Sequence, residues 1–213
     1  MNIYLNCGEY RTDKVIDPEG PYAICPLCGF KHRFLRLPLL LVGGASGTGK
    51  TAICHRLIGT IDRAVLLDYD ILWRPEFNTP ESHYRDFFET WLRVCKNISQ
   101  SGRPVVLVGP GACVPENLEP CVERRYFSDL HYLGLVCDED ILTERLGTRT
   151  QWRRCHDPAF IASQMEFNQW LKGNADTVEP QIELLDTSGM SVQEASERVA
   201  GWIRGKVSKG AEP

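Results

Sequence analysis

The feature that most constrains this sequence is a glycine-rich segment, Gly44 to Thr51, which reads GASGTGKT. It follows an apolar run at 37–43 and precedes a run at 52–59 that fits a helix. The spacing matches the pattern G-x-x-x-x-G-K-[ST] in the strand–loop–helix context that gives the pattern its meaning. Glycines let successive backbone N–H groups turn inward at a helix N-terminus, whose dipole also favours negative charge. The segment therefore predicts a phosphate-binding loop.

Two side chains of this loop have predicted chemical roles. Lys50 is expected to reach the β- and γ-phosphates of a nucleotide, and the Thr51 hydroxyl is expected to ligate Mg²⁺. The predicted nucleotide-binding positions in the loop are Gly44, Ser46, Gly47, Thr48, Gly49, Lys50 and Thr51.

Apolar runs typical of buried strands alternate with helical patterns along the rest of the chain. The predicted strands are 38–43, 63–68, 104–109, 131–137 and 181–186, and the helices after the loop are 81–101, 116–127, 139–147, 159–172 and 191–206. This alternation implies βαβ units and a parallel, doubly wound sheet. Ligands bind such sheets beyond the carboxyl ends of the strands, so the residues after each strand are the candidates for a site.

Two carboxylates, Asp68 and Asp70, end the second predicted strand. At a spacing of two on an extended strand, they point to the same side. One is expected to hold Mg²⁺ through water, and the other to accept a proton from a substrate hydroxyl. A helix N-cap or a turn is the structural alternative. We assign Asp70 to the hydroxyl and Asp68 to the metal, and the reverse order stays open.

A cluster of arginines follows the fourth predicted strand and its helix. It comprises Arg145, Arg149, Arg153 and Arg154, and Arg145 and Arg149 share a helical face if the helix continues. A guanidinium fork binds phosphate oxygens bidentately and stays charged, so we expect a lid at about residues 148–160, with Arg149 in it and Arg145 just before it reaching the phosphates. A solvated surface face is the alternative.

The first 36 residues contain cysteines at a metal-ligand spacing. Cys25 and Cys28 stand in C-P-L-C-G, a zinc-knuckle turn, and Cys7 precedes a glycine in the same way. We predict a tetrahedral zinc site formed by these three thiolates, with His32 or an unidentified group as the fourth ligand. Such a zinc is expected to be structural and to hold a small β-hairpin at 1–36. A turn with free cysteines is the alternative.

Composition narrows the class of protein. The chain has 213 residues, 43% of them apolar, which suffices for one domain with a small appendage. The net charge of −4 disfavours nucleic acid as a partner. Nine cysteines, an odd number, argue against a disulfide framework. No apolar run reaches membrane-spanning length and the start is not a secretory signal, so we expect a cytoplasmic protein. The oligomeric state is not predicted.

Together these features resemble the P-loop small-molecule and nucleotide kinases, the adenylate-kinase-like group that includes shikimate, gluconate, adenylylsulfate and chloramphenicol kinases. The resemblance covers about residues 37–206. It rests on the phosphate-binding loop, the acid after the second strand, the helix that ends at Arg145-Leu146-Gly147-Thr148-Arg149, and the segment Leu185-Asp186-Thr187-Ser188.

The resemblance implies an α/β P-loop NTPase fold with strand order 2-3-1-4-5, a kinase domain at 37–213 and an appended hairpin at 1–36. It also implies that the loop holds ATP and Mg²⁺, that Asp68 or Asp70 meets the acceptor, and that Arg149 is a lid arginine. Thr187 and Ser188 would lie near the adenine.

The implied function is transfer of the γ-phosphate of Mg-ATP to a small hydroxylated or nucleoside-like acceptor. The motif D-G-[FY]-P-R is missing after the third strand and there is no long lid, which favours a hydroxyl over a nucleoside monophosphate. One alternative is a nucleic-acid-end kinase or processing factor that uses the basic residues Lys31, His32, Arg33 and Arg36. Another is a regulatory ATP-binding module whose hairpin contacts a partner.

Overall fold

A computed structural model of the chain describes residues 3–148 and 157–209. Within these ranges the strands are β1 (Val15–Ile16), β2 (Tyr22–Ile24), β3 (Lys31–Arg33), β4 (Leu39–Gly44), β5 (Val65–Asp68), β6 (Val105–Val108), β7 (Leu130–Val136) and β8 (Ile182–Asp186). The α-helices are α1 (Lys50–Leu57), α2 (Arg85–Ser99), α3 (Pro115–Leu118), α4 (Glu139–Gly147), α5 (Pro158–Asn174) and α6 (Val192–Lys209).

The main sheet has five parallel strands in the order β5-β6-β4-β7-β8. This is the predicted order 2-3-1-4-5, so the predicted fold class is confirmed. Every residue of the central strand β4 is buried, as expected for a parallel sheet that is covered on both faces. Each predicted strand lies within two residues of an observed one.

Alternate residues of β4 enter two apolar cores on opposite faces of the sheet. Leu39 and Leu41 pack with the aromatic side chains of α2 and with Leu171 of α5. Leu40 and Val42 pack with residues of α1 and α6. Helices therefore cover both faces of the sheet, and its carboxyl edge is left for the phosphate-binding loop.

Two predicted helices differ from the structure. The predicted helix 116–127 is wrong: α3 ends at Leu118, and a separate 3₁₀ turn follows at Val122–Tyr126. Pro120 lies between them, and its missing N–H cannot continue a helical hydrogen-bond ladder. The predicted helix 81–101 begins later, at Arg85, because His83 and Tyr84 both adopt left-handed backbone angles.

The amino-terminal residues form a three-stranded antiparallel sheet, β1-β2-β3. This sheet packs on the main body through Ala23 and Phe34, which contact the buried ring of Tyr126. The backbone N–H of Lys14 donates to Tyr126 Oη at 2.9 Å. Tyr126 precedes β7, so this small sheet lies at the amino edge of the main sheet. Among the described helices, none has the length and hydropathy needed to span a membrane.

Candidate active site

The phosphate-binding loop joins β4 to α1 at the carboxyl edge of the sheet. Gly44 and Gly47 have positive φ angles of 134° and 100°. A Cβ atom at Gly44 would lie 2.3 Å from the carbonyl oxygen of Leu135, and one at Gly47 would lie 2.6 Å from Leu142 Cδ1. The loop conformation therefore requires glycine at both positions.

Polar groups of the loop are held by internal hydrogen bonds. The ammonium of Lys50 donates to the carbonyl oxygens of Gly44 at 2.6 Å and Ala45 at 2.8 Å. The backbone N–H of Ser46 donates to the side-chain oxygen of Gln164, from α5, at 2.7 Å. Backbone amides of this kind are the donors that bind phosphate oxygens, and the one at Ser46 already has the Gln164 oxygen as its acceptor. Sequence reasoning missed Gln164, because nothing in the pattern of α5 points to the loop.

A cleft of about 490 Å³ brings the predicted loop and the predicted acids together. Ser46, Gly47, Lys50 and Thr51 line one side, and the remaining lining residues include Cys54, Asp68, Asp70, Val108, Gly109 and Pro110. Asp68 ends β5, and Asp70 lies in the 3₁₀ turn Tyr69–Leu72. The two acids therefore share the cleft through a turn and not through strand alternation. Asp68 Oδ1 accepts the backbone N–H of Asp70 at 2.9 Å, which fixes the turn.

Cys54 is the thiol that lines this cleft. Burial raises its pKa to about 11, with a smaller contribution from the charge of Asp68. The thiol therefore stays protonated near neutral pH and is a poor nucleophile. The groups in the cleft that can react or bind a ligand are therefore the ones with oxygen and nitrogen atoms.

Tyr69 fixes the position of the two acids, and sequence reasoning did not single it out. Its hydroxyl accepts the backbone N–H of Gly111 at 3.0 Å, and its carbonyl oxygen accepts the indole N–H of Trp91 at 3.0 Å. Burial raises the pKa of its phenol, which therefore stays neutral. A Cβ at Gly109 would lie 2.1 Å from the Tyr69 ring, so glycine at this position makes room for it.

A second pocket, of about 630 Å³, lies on the other side of the loop. It is lined by Gly47, Thr48, Gly49, Ile53, Arg145, Thr187, Met190, Ser191, Val192 and Ala195. Arg145 donates to Thr187 Oγ1 at 3.3 Å and to its carbonyl oxygen at 3.0 Å. Thr187 Oγ1 in turn donates to the carbonyl oxygen of Thr48 at 3.2 Å, so the β8 loop is tied to the phosphate-binding loop.

The other residues predicted for this side have different placements. Ser188 does not line the pocket, because its hydroxyl accepts the N–H of Asp138 at 2.7 Å and bonds to Asp186. Arg145 lines the second pocket and not the cleft that holds Asp68 and Asp70. Arg149 and most of the predicted lid, including Arg153 and Arg154, lie outside the described residues.

An aromatic pocket of about 780 Å³ adjoins the cleft at Pro110, which lines both. Its aromatic lining consists of Tyr69, Trp73, Tyr84, Phe87, Phe88 and Phe167. The amides of Asn78 and Asn117 add polar groups, and none of the lining residues in the described ranges carries a formal charge. Phe87 and Phe88 also belong to the apolar core.

Three thiols lie together in residues 3–36, which we call the amino-terminal unit. The sulfur atoms of Cys7, Cys25 and Cys28 are all within 4.8 Å of one another, as expected for a shared metal. Hydrogen bonds from the Phe30 backbone and the Asn6 side chain lower the pKa of the Cys28 thiol to about 7.

The structure does not bring His32, one of the two predicted options for the fourth ligand, to the three thiols. The structure places it on β3, where its ring packs against Tyr4 and its Nδ1 lies 3.0 Å from the carbonyl oxygen of Arg33. The group of metal-ligating side chains in the described part of the chain does not include it.

Comparisons with known proteins give matches in structure but none in sequence. The sequence matches no protein-family model and no curated protein at a significant level. A sugar kinase from Janibacter sp. HTCC2649 superposes with a TM-score of 0.58 at 16% identity, over 84% of this chain and 100% of that one. A gluconokinase from Sinorhizobium meliloti 1021 superposes with a TM-score of 0.53 at 20% identity, over 82% and 97% of the two chains. The tunicamycin resistance protein of Deinococcus radiodurans gives 0.55 at 16% identity, over 79% and 96%.

The chain therefore shares the α/β fold of this sugar kinase and this gluconokinase. At this level of identity the likeness establishes the fold, and the predicted resemblance is confirmed to that extent.

Proposed function

We propose that the protein is a P-loop kinase that transfers the γ-phosphate of Mg-ATP to a hydroxyl group of a small acceptor. One observation carries the proposal: Lys50 and Thr51 share a cleft with Asp68 and Asp70. A phosphate-binding loop facing a pair of acids is the arrangement that transfer to a hydroxyl requires.

Positioning and charge neutralisation dominate phosphoryl transfer, since the protein has little covalent chemistry to perform. Lys50 would exchange the carbonyl oxygens of Gly44 and Ala45 for phosphate oxygens. The Thr51 hydroxyl and Asp68 would hold Mg²⁺, which supplies positive charge beside the phosphates. Asp70 would orient the acceptor hydroxyl and accept its proton, and Tyr69 would keep both acids in place.

The second pocket is the proposed site of the adenine. Arg145 and Thr187 line it next to Gly49, on the side of the loop away from the acids. This location favours a role for Arg145 at the base or the α-phosphate, and not at the transferred phosphoryl group as the sequence suggested. The proposed lid arginine is Arg149.

The aromatic pocket is the proposed site of the acceptor. It joins the cleft at Pro110, so a molecule bound there could present a hydroxyl to Asp70. A carboxylate or phosphate on the acceptor would call for an arginine or lysine, and the part of the pocket lining that the structure describes has neither. We therefore propose a neutral acceptor with an apolar or planar ring that stacks on aromatic side chains.

An ATP-consumption screen against nucleosides, sugars and hydroxylated antibiotics tests the proposal. We expect turnover with a neutral ring-containing member of the panel. Lys50→Ala should abolish it, and Asp70→Asn should lower turnover much more than ATP affinity. Equal transfer rates in the wild type and Asp70→Asn would contradict the role of that acid. ATP binding without turnover of any acceptor would favour a regulatory module.

The nucleic-acid alternative loses support from the contacts of the basic segment. Lys31 forms an ion pair with Asp17 at 2.7 Å, and Arg36 donates to the carbonyl oxygen of Phe127 at 3.0 Å. Both side chains are thus engaged within the protein, which weakens the case for a basic strip that contacts phosphates.

A further inference from the structure

The amino-terminal unit contains the same turn twice, at residues 4–8 and 25–29. In the first copy the N–H of Gly8 donates to the carbonyl oxygen of Tyr4 at 2.8 Å, and in the second Gly29 donates to Cys25 at 2.9 Å. Both glycines have a φ of +71°. The two segments therefore fold into the same knuckle, although only the second has the full C-x-x-C-G sequence.

A second hydrogen bond repeats in the same way. The N–H of Tyr4 donates to the carbonyl oxygen of Glu9 at 3.1 Å, and the N–H of Cys25 donates to that of Phe30 at 2.9 Å. Position 4 is thus equivalent to position 25, and position 7 to position 28. A complete pair of such knuckles would supply four cysteines, and this chain supplies three.

The three sulfur atoms have the spacing of a metal-bound set. The Sγ atoms of Cys7 and Cys25 lie 3.9 Å apart, and all three sulfurs lie within 4.8 Å of one another. Zinc–sulfur bonds of about 2.3 Å at tetrahedral angles place the sulfurs about 3.8 Å apart. Cys28 is exposed, so one side of the cluster faces solvent.

Tyr4 occupies the position of the missing cysteine without replacing its function. The side chain is 1% exposed, and its hydroxyl donates to the carbonyl oxygen of Ile24 at 3.3 Å. Its ring packs against that of His32, with centroids 5.3 Å apart. In the described ranges, no histidine or carboxylate joins the three thiols.

We propose that Cys7, Cys25 and Cys28 bind one zinc ion as three thiolates, and that the fourth coordination position is open to water or a small added ligand. The metal would stabilise the unit, since its buried apolar cluster in the described residues is small and shares Tyr126 with the main body. The unit meets the main sheet at its amino edge, and the phosphate-binding loop lies at the other end of β4, about 17 Å away. The zinc is therefore separate from phosphoryl transfer, and this proposal does not depend on the proposed function.

X-ray absorption spectroscopy on the purified full chain, with a zinc assay, tests the proposal. We expect one zinc per chain with three sulfur ligands and one oxygen or nitrogen ligand. Tyr4→Cys should raise the sulfur count to four. Loss of outer contacts alone changes metal affinity about 10–100-fold, so the added ligand should slow zinc transfer to a chelator by at least about tenfold.

Two variants, each with one cysteine replaced by serine, serve as matched controls. Cys28→Ser should lose the zinc, and Cys54→Ser, in α1, should keep it. Circular dichroism of the same preparations reports whether each variant is folded, and if Tyr4→Cys does not fold, the sulfur count of the wild type decides alone. Less than half an equivalent of zinc, four sulfurs in the wild type, or unchanged zinc transfer in folded Tyr4→Cys would overturn the proposal.

Discussion

At the scale of single residues, the side chain and carbonyl of Tyr69 connect the acidic turn to two neighbouring elements. Its hydroxyl accepts the Gly111 N–H, in the loop after β6, and its carbonyl accepts the Trp91 indole of α2. The turn that carries Asp68 and Asp70 is thereby held against both the cleft and the aromatic pocket. Because a misplacement of about 1 Å can cost about 10²-fold in rate, this support matters for catalysis.

Tyr69→Phe should lower both stability and turnover. The half-buried Gly111 N–H loses its acceptor, which costs about 0.5–1.5 kcal/mol of unfolding free energy, the net value of one hydrogen bond. We expect turnover to fall while ATP affinity stays unchanged, as measured by urea unfolding and steady-state kinetics. The matched control is Tyr132→Phe, which loses a 2.9 Å hydrogen bond to Glu119 away from the cleft. An equal loss of turnover in both variants would show a general effect of stability and contradict the positioning role.

The sequence predicts the acids but not their support, for a physical reason. Asp68 and Asp70 are recognisable because they are charged residues at the end of an apolar run that predicts a buried strand. Tyr69 is one aromatic among many, and only the closed fold shows that Gly109 leaves space for its ring. The placement of His32 away from the thiols was not predictable for the same reason, since the pairing of Ala23 with His32 in the β2–β3 register fixes its position.

At the scale of elements, α5 reaches the phosphate-binding loop through Gln164. This side chain accepts the Ser46 N–H at 2.7 Å, so a nucleotide phosphate would compete with it for the same donor. A net hydrogen bond contributes about 0.5–1.5 kcal/mol, and Gln164→Ala should therefore tighten ATP binding about 2- to 10-fold in calorimetry. Gln169→Ala, on the same helix, loses a bond to Glu139 instead and should leave ATP affinity unchanged. Weaker ATP binding by Gln164→Ala would mean that the glutamine contacts the nucleotide itself.

The first turn of α6 has a reciprocal cap with a defined pH dependence. The Ser191 hydroxyl and N–H donate to Glu194 Oε2 at 2.7 and 2.8 Å, and the Glu194 N–H donates to Ser191 Oγ at 3.2 Å. The hydrogen bond from the Ser191 hydroxyl, followed by that from its N–H, lowers the pKa of Glu194. A lowered folded-state pKa stabilises the fold above the unfolded value of about 4.3, and this stabilisation is lost as the pH falls through the folded-state pKa.

Glu194→Ala should therefore be less stable than the wild type at pH 7, and the difference should shrink as the pH falls below 4. Thermal unfolding of both proteins across this range measures it. Glu197→Ala removes the same charge one turn later in α6 and leaves the cap intact. A gap between Glu194→Ala and the wild type that stays constant with pH would contradict the cap as the source of the effect.

Helix boundaries mark the limit of sequence reasoning at this scale. The strand β4 was predictable because an unbroken apolar run before the loop fits only a buried parallel strand. The helix at 116–127 was not, because its apolar spacing hides the break at Pro120 that separates α3 from the following 3₁₀ turn. The missing N–H of Pro120 therefore outweighs the apolar spacing that predicts one continuous helix.

At the scale of the whole molecule, the two edges of the main sheet carry different parts of the structure. The carboxyl edge carries the proposed active site, and the amino edge carries the small antiparallel sheet with its thiols. The sequence predicted both parts, and the division at residue 36 stays a prediction. Their connection was not predictable, because it depends on buried charges far apart in sequence: Lys14, Lys96 and Glu123.

Glu123 stabilises the contact between the small antiparallel sheet and the main body. It forms an ion pair with Lys96, and both side chains are at most 5% exposed. The Lys96 ammonium also lies 4.3 Å from the centre of the Tyr126 ring, and Tyr126 Oη accepts the Lys14 N–H. Burial, with the nearby charge of Lys96, lowers the pKa of Lys14. Loss of the carboxylate would leave the buried ammonium of Lys96 without this ion-pair partner.

Glu123→Gln should therefore lower the free energy of unfolding by about 3–5 kcal/mol, the usual cost of breaking a buried ion pair on one side. The double variant Lys96→Met/Glu123→Leu removes both charges and should recover most of this loss, because apolar replacement of a buried pair is often neutral. Urea unfolding measures both, and hydrogen exchange at residues 15–33 reports whether the small sheet stays packed. Arg11→Gln, which breaks the more exposed pair with Asp13, should cost much less. A double variant as unstable as Glu123→Gln would show that packing, and not the buried charge, connects the two sheets.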